Sequence, residues 1–144
     1  AAEIDKIVEL ARKRGIYVVE DCAQSYCCRY KGKYAGTFGD IGCFSLNDFK
    51  HISAGDGGMV ITNNEELYHK ALMFADKNYN RLGESVVKKI NQLAPNYRMN
   101  ELTAAVALAQ LDKVEDICRK RNAGNYFALC GARQGLRALD GATF

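Results

Sequence analysis

The sequence predicts an α/β fold in which a mostly parallel sheet is flanked by helices. Three features indicate it: an amphipathic helical pattern opens the chain, a short β-branched apolar run follows at once, and two further apolar runs precede the next helical pattern. The 144 residues, 48% of them hydrophobic and 26% charged, suffice for one ordinary globular domain. We expect residues 1–130 to belong to it.

The opening helix and strand form the clearest local signal. Apolar residues recur at helical spacing within residues 1–14, and Gly15 is a typical helix stop. Residues 16–19, Ile-Tyr-Val-Val, form a continuous apolar run that predicts a strand covered on both faces.

Later elements follow from the same kinds of pattern. Residues 29–40 are rich in Gly, Lys and Tyr and predict an irregular excursion, whereas residues 41–46 and 59–62 predict two more strands. Asn63 followed by Glu66 resembles a capping box and predicts a helix with Asn63 as its cap.

Two longer segments complete the pattern. The polar residues 76–92 show no strong period and predict a mobile loop. Beyond Pro95, the spacing of apolar residues predicts one long helix that runs to about Arg121. The chain starts directly on a helical pattern without Met and stops without a closing element, so we expect it to be a piece of a longer polypeptide.

The distribution of charge argues against a nucleic-acid partner. The formal charge is +3, and basic residues are scattered except at Arg119, Lys120 and Arg121, where cations complement the dipole at a predicted helix end. We therefore expect no nucleic-acid partner.

No apolar stretch approaches the roughly 20 residues of a membrane helix and no secretory leader opens the chain, so we expect no membrane partner and a cytoplasmic location.

The six cysteines do not form a metal-binding or redox motif. No two of them have the two-residue gap typical of zinc and thiol-redox motifs, and only His51 and His69 could add ligands. We expect no metal, and we expect most cysteines to be small, half-apolar residues of the interior in a reducing compartment.

A carboxylate directly follows the first predicted strand. In open α/β sheets, ligands bind beyond the carboxyl ends of strands, which makes Asp21 a candidate site residue. The alternative is that Asp21 merely caps the following turn. Taken alone, the two interpretations are equally supported.

A hydroxyl and a lysine follow the second predicted strand. Ser45 and Lys50 lie five residues apart, so both could reach one ligand, with Ser45 donating to a phosphate and a desolvated Lys50 forming an imine. Taken alone, Lys50 is better explained as a solvated loop lysine. The glycines of residues 55–58 match neither a P-loop nor a dinucleotide fingerprint, and we expect them to supply positive φ angles beneath the loop that carries Lys50.

Taken in order, five blocks resemble the motifs of the DegT/DnrJ/StrS aminotransferases, a family that uses pyridoxal phosphate. They lie between residue 18 and about residue 121 and comprise Asp21 with Ala23 and Gln24, residues 39–45 (Gly-Asp-Ile-Gly-Cys-Phe-Ser), Lys50, residues 55–62 (Gly-Asp-Gly-Gly-Met-Val-Ile-Thr) and residues 96–102 (Asn-Tyr-Arg-Met-Asn-Glu-Leu). Agreement of this density is not expected by chance.

The resemblance implies a fold and a role for each residue. The fold would be the large domain of the aspartate-aminotransferase type, a fold-type-I pyridoxal-phosphate enzyme, and residues 131–144 would lead toward a small domain. The site would be shared between the two subunits of a homodimer. Lys50 would form the Schiff base with pyridoxal phosphate, and Asp21 would keep the pyridine nitrogen cationic. The remaining contacts to the cofactor would come from Gln24 at the 3-hydroxyl, Ala23 under the ring, Ser45 at the phosphate, and Asn96 at the phosphate of the neighbouring subunit.

The implied reaction is a ping-pong transamination. Glutamate or glutamine would give its amino group to the cofactor, which would then aminate a keto group on a sugar, usually nucleotide-linked, or on a cyclitol. Tyr26 and Cys27 stand where His and then Gly are usual, and His51 stands where Asn commonly follows the lysine. The resemblance puts these positions near the acceptor pocket, so the acceptor need not be the usual sugar. Without the parts that family members carry on either side, we expect the 144 residues to bind cofactor weakly and to turn over little.

Three alternatives remain open. Sugar dehydratases on the same fold replace the lysine with histidine, so the presence of Lys50 favours amino transfer. A non-catalytic pyridoxal-phosphate-binding regulatory protein would keep the fold for sensing, but the intact set of Asp21, Gln24, Ser45 and Lys50 argues against it. An α/β domain without a cofactor would leave the joint match of motifs unexplained.

Overall fold

The computed structural model describes residues 2–81 and 93–124. The elements in chain order are α1 (Ile4–Lys13), β1 (Val19–Asp21), β2 (Arg29–Tyr30), β3 (Lys33–Tyr34), β4 (Ile41–Ser45), β5 (Gly58–Ile61), α2 (Glu65–Ala75) and α3 (Glu101–Leu111). Residues 114–124 are also helical and are called α4 here. Most of the predicted mobile loop, residues 82–92, and the predicted lead toward a small domain, residues 131–144, lie outside the described residues.

Three strands form the sheet that carries the site. β1 pairs with β4 in parallel, and β4 pairs with β5 in antiparallel register. The described sheet is therefore mixed, where the sequence predicted a mostly parallel one. The physical reason is the connection between β4 and β5, residues 46–57, which contains no helix that could carry a parallel crossover. These residues include Lys50 and are called the lysine loop here.

The prediction of a doubly covered strand over residues 16–19 is wrong in both position and burial. Val18 N donates to Asp40 Oδ2 at 2.7 Å, and Asp40 N donates to Val18 O at 2.8 Å. The ladder with β4 consequently opens only at Val19, opposite Ile41. Within the described residues the side chain of Val19 is exposed.

The helices follow the predictions with two corrections. α1 ends before Gly15, as predicted, and Gly15 has a φ of +66°. The cap of α2 is Asn64 rather than Asn63, because Asn64 Oδ1 accepts from Leu67 N at 3.1 Å, the third residue onward. The predicted single long helix is divided into α3 and α4 by a tight turn at residues 112–113. No helix within the described ranges has the length and apolar character to cross a bilayer.

The excursion over residues 29–40 contains more regular structure than expected. β2 and β3 form a short antiparallel hairpin, with Tyr30 opposite Lys33. Lys31 and Gly32 make the turn, both with positive φ, as a two-residue hairpin requires.

The buried core lies directly beneath the lysine loop. Its members come from the β1–β2 connection, the lysine loop, α3 and α4, and they are Tyr26, Leu46, Ile52, Ala107 and Cys118. Leu46 and Ile52 are almost fully buried, with 0% and 1% exposure, and they flank Lys50 in the sequence. The loop is thus held by a buried side chain on each side of the lysine.

Candidate active site

Main-chain hydrogen bonds fix the base of the lysine loop. Leu46 N donates to Gly57 O at 2.9 Å, and Ala54 N donates to Leu46 O at 2.9 Å. Gly55 and Gly57 have φ angles of +85° and +130°, so the prediction that these glycines supply positive φ beneath the lysine is confirmed.

A turn directly after β4 connects Ser45, the last residue of the strand, with Lys50. Lys50 N donates to Asn47 O at 3.0 Å, and Asn47 N donates to Ser45 Oγ at 3.3 Å. The Ser45 hydroxyl oxygen is used as an acceptor within the turn, which leaves its hydrogen to donate to a ligand.

An open cleft brings together side chains from three parts of the chain. It has a volume of about 490 Å³ and is lined by Gln24, Asn47, Phe49, Lys50, His51 and Arg121. Of the predicted site residues, Lys50 and Gln24 share this cleft, and Asp21, Ala23, Ser45 and Asn96 do not line it.

Two adjacent carboxylates at the end of β1 point to opposite faces of the sheet and have opposite surroundings. Glu20 is 8% exposed and accepts hydrogen bonds from Gly36 N at 2.8 Å, Phe38 N at 2.7 Å and Gly39 N at 2.7 Å. It is a structural carboxylate whose charge is balanced by backbone dipoles.

Asp21 is exposed, and its two carboxylate oxygens have different surroundings. Its Oδ1 accepts from Ala23 N at 3.0 Å, which is the expected turn cap. Its second oxygen accepts no hydrogen bond from the described residues and can accept one from a ligand.

Asp21 and Ser45 lie on one face at the same end of the sheet. Asp21 pairs with Cys43, and Ser45 lies two residues beyond Cys43 on the same face of β4. Asp21 lines a second cleft, of about 270 Å³, with Val19 and Ser25 among its neighbours. The described residues therefore bring the predicted site together in two groups, one on the sheet face and one in the cleft with Lys50.

Asn96 lies far along the chain from the lysine loop, and a cluster of charged residues holds it in place. It forms a β-bridge with Asp76, and its Oδ1 accepts from Arg98 Nε at 3.1 Å. Asp76 is 2% exposed, lies 2.8 Å from Arg98 Nε, and is also paired with Arg81. The hydrogen bond from Arg81, with the charges of Arg81, Arg98 and Lys77, lowers the pKa of Asp76. Because the oxygen of the Asn96 amide is occupied, its NH₂ group remains to donate to an anion.

The departures from the family pattern near Gln24 are explained by packing. Tyr26 is buried in the core, where its hydroxyl donates to Ser45 O at 3.0 Å and its ring lies 5.8 Å from that of His51. Cys27 has a φ of 57°, a conformation that favours the glycine usual at this position. Neither residue lines the cleft with Lys50.

His51 is the departure that does reach the cleft. Its Nδ1 is buried and has no hydrogen-bond partner among the described residues. Burial and then the charges of Arg121 and Lys50 lower the pKa of His51, so its ring is neutral at pH 7. His51 therefore places an uncharged ring in the cleft beside Lys50.

Sequence reasoning missed Glu20, Asp76 and Arg121. The partners of Glu20 lie 16 to 19 residues away, and Arg121 donates from Nη2 to Lys50 O at 3.1 Å across 71 residues. No periodicity or short motif connects positions so far apart, although a charged residue inside an apolar strand end was a signal for Glu20.

The fold and these residues define a class of protein. A mixed α/β sheet with Asp21 and Ser45 at the ends of neighbouring parallel strands, followed by a lysine loop, is part of the large domain of a fold-type-I pyridoxal-phosphate enzyme. The model of the DegT/DnrJ/EryC1/StrS aminotransferase family matches residues 1–137, and the chain belongs to this family. The predicted fold class and the predicted family are both confirmed.

Similarity to individual proteins agrees with the family. Over 128 residues the chain is 42% identical to GDP-perosamine synthase of Escherichia coli O157:H7, covering 87% of this chain and 34% of that protein. An aminotransferase structure from Psychrobacter cryohalolentis superposes with a TM-score of 0.74 at 31% identity, covering 92% of this chain and 36% of that one. The structure of E. coli GDP-4-keto-6-deoxy-D-mannose-3-dehydratase with bound hydrated PLP superposes with a TM-score of 0.64 at 28% identity, covering 77% of this chain and 32% of that one. The chain spans about a third of the length of these relatives.

Proposed function

We propose that the full-length protein is a pyridoxal-phosphate-dependent aminotransferase that moves an amino group from glutamate or glutamine to a keto sugar, nucleotide-linked in the favoured case, or to a keto-cyclitol. The observation that carries the proposal is the position of Lys50, which is half-buried in a cleft with Gln24 and follows β4, the strand that pairs with Asp21 and ends at Ser45. Family membership and the similarity to GDP-perosamine synthase support it.

The described residues fit the cofactor. When bound, pyridoxal phosphate supplies an electron sink for the carbon that loses a proton. Asp21 offers the free carboxylate oxygen that a protonated pyridine nitrogen needs, and Ser45 offers a hydroxyl hydrogen to a phosphate. Ala23, at the turn that Asp21 caps, is small enough to lie under a ring, and Gln24 can bond the ring hydroxyl.

Lys50 has two tasks in this proposal. Its Nζ holds the cofactor covalently between turnovers, and the same amine, once released, carries the proton between the substrate carbon and the cofactor. The neutral ring of His51 lies in the same cleft and adds no positive charge beside that amine.

The partner subunit is part of the proposal. We infer a homodimer in which Asn96 donates its amide hydrogens to the phosphate bound by the other subunit, because Arg98 already occupies the amide oxygen. We also infer a cytoplasmic enzyme with small-molecule substrates.

The central test maps the lysine that binds the cofactor. The full-length protein is incubated with pyridoxal phosphate and reduced with borohydride, and the labelled peptide is identified by mass spectrometry. We expect the label on Lys50 in the wild type and in Lys113→Ala, a matched change at an exposed lysine, and no label in Lys50→Ala. Label on another lysine in the wild type contradicts the proposal.

A second test separates amino transfer from the dehydratase alternative, which the similarity to the E. coli 3-dehydratase makes worth testing. Keto-sugar nucleotides and keto-cyclitols are incubated with ¹⁵N-labelled glutamate or glutamine. An aminotransferase places ¹⁵N in the acceptor product, whereas a dehydratase gives a product that has lost water and carries no ¹⁵N. A protein that is labelled at Lys50 but converts none of these acceptors would favour the regulatory alternative.

A further inference from the structure

We propose that Arg121 is a positioning residue for Lys50: from α4 its guanidinium fixes the lysine loop so that the amine of Lys50 remains in the cleft. The proposal rests on the proposed function, in which Lys50 binds the cofactor. It assigns a task to a residue that the sequence explained only as a favourable charge at a helix end.

The direct contact is a side-chain hydrogen bond to the backbone of Lys50 itself. Arg121 Nη2 donates to Lys50 O at 3.1 Å, and both residues line the cleft of about 490 Å³. The outer part of the loop has little packing of its own, since Phe49 is 83% exposed. The hydrogen bond from Arg121 therefore restrains the loop at Lys50, the residue that binds the cofactor in the proposed function.

A second connection from α4 reaches the other end of the same segment. Cys118 lies one turn before Arg121 on the same face of α4 and is buried in the core. Its Sγ donates to Tyr26 O at 3.5 Å, and the Tyr26 hydroxyl donates to Ser45 O at 3.0 Å. α4 thus restrains Ser45 through Tyr26, and it restrains Lys50 through Arg121. Together these contacts keep the hydroxyl of Ser45 and the amine of Lys50 in fixed positions relative to each other.

The charge of Arg121 also acts on the cleft. Together with Lys50 it disfavours the protonated form of His51, and burial of the ring does so more strongly. Arginine suits this position because it keeps its charge at every relevant pH and has donors left after bonding one carbonyl.

Arg119 provides a matched control on the same helix. Its side chain is 76% exposed and pairs with Asp116 on the outer surface of α4. Arg119→Ala and Arg121→Ala remove the same group from positions two residues apart. Only the change at Arg121 removes a contact with the lysine loop.

The first measurement is hydrogen exchange of the full-length, cofactor-free protein, followed in a peptide that covers residues 46–54. We expect Arg121→Ala to raise the exchange rate of this peptide by about threefold or more, Arg119→Ala to leave it unchanged, and Arg121→Lys to restore part of the protection. An unchanged rate in Arg121→Ala, or an equal rise in Arg119→Ala, overturns the proposal. This measurement does not involve the cofactor.

The second measurement is the rate of borohydride-trapped labelling of Lys50 at a limiting concentration of pyridoxal phosphate. We expect Arg121→Ala to label about threefold more slowly, in line with loss of one solvent-exposed hydrogen bond, with melting temperature unchanged and partial rescue in Arg121→Lys. Wild-type labelling rates in Arg121→Ala would show that the loop is held without positioning the lysine, which overturns the proposal. A wild type without label at Lys50 refutes the proposed function instead, and the proposal falls with it.

Discussion

Glu20 and Asp21 are adjacent carboxylates, and substituting each of them separates the stability of the fold from the chemistry of the site. Glu20→Ala removes the acceptor of three backbone N–H groups, from Gly36, Phe38 and Gly39. A hydrogen bond to a charged group is worth about 1.5–3 kcal/mol, but water reaches some of the released donors. We therefore expect the free energy of unfolding to fall by about 3–5 kcal/mol rather than by the full sum.

The geometry also predicts the result for a conservative variant. Oε1 accepts from Phe38 N and Gly39 N, and Oε2 accepts from Gly36 N. The amide of Glu20→Gln can keep the first two bonds through its carbonyl oxygen but meets the third donor with its own NH₂ group. Its loss of stability is expected to be about half that of Glu20→Ala.

The assay is urea unfolding of the full-length variants, followed by circular dichroism, with cofactor affinity measured in parallel. Asp21→Asn is the matched control, because its side-chain oxygen can still cap the turn at Ala23 while the carboxylate is lost. We expect its stability to change by less than about 0.5 kcal/mol and its affinity for pyridoxal phosphate to fall. The reasoning is refuted if Glu20→Ala unfolds at the wild-type urea concentration, or if Asp21→Asn is the destabilised variant.

Three further predictions test the packing, the acid stability and the helix cap. A methyl group added in Gly42→Ala would lie 2.4 Å from Gly36 O, so we expect a loss of about 1–3 kcal/mol in urea unfolding, against no loss in Gly124→Ala, where nothing lies within 4 Å. Paired arginines lower the pKa of Asp76, so its contribution to stability is present above about pH 4, the usual aspartate value, and is lost as pH falls through the lowered pKa. Asp76→Asn should therefore melt at a lower temperature than wild type at pH 7, with the gap closing as the pH falls below about 4; a constant gap would contradict this. Asn64→Ala should destabilise by about 1 kcal/mol and Asn63→Ala by less, and the reverse order would reject Asn64 as the cap.

Much of the fold was predictable because it depends on near neighbours in the sequence. The spacing that defines α1, the glycine that ends it and the glycines beneath the lysine act over a few residues, and all three predictions are confirmed. The capping residue of α2 was misplaced by one position, since Asn63 and Asn64 are chemically identical and only the backbone decides which one reaches Leu67.

The candidate site was predictable as a set of residues but not as an arrangement. Motif order identified Asp21, Gln24, Ser45 and Lys50, and the family they indicated is confirmed. Their grouping into a sheet face and a cleft could not be foreseen, because strand register and loop path decide which side chains meet. The roles assigned to them remain predictions.

The sequence by itself thus determined the fold class and the family, and it predicts Lys50 as the lysine that binds the cofactor. The tertiary structure decided that Glu20 is structural while Asp21 faces solvent, that Tyr26 belongs to the core, and that Arg121 bonds the backbone of Lys50. The physical reason is the range of the interactions. Periodicity and capping act between residues a few positions apart, whereas a contact across 71 residues forms only after the sheet and the helices have packed against each other.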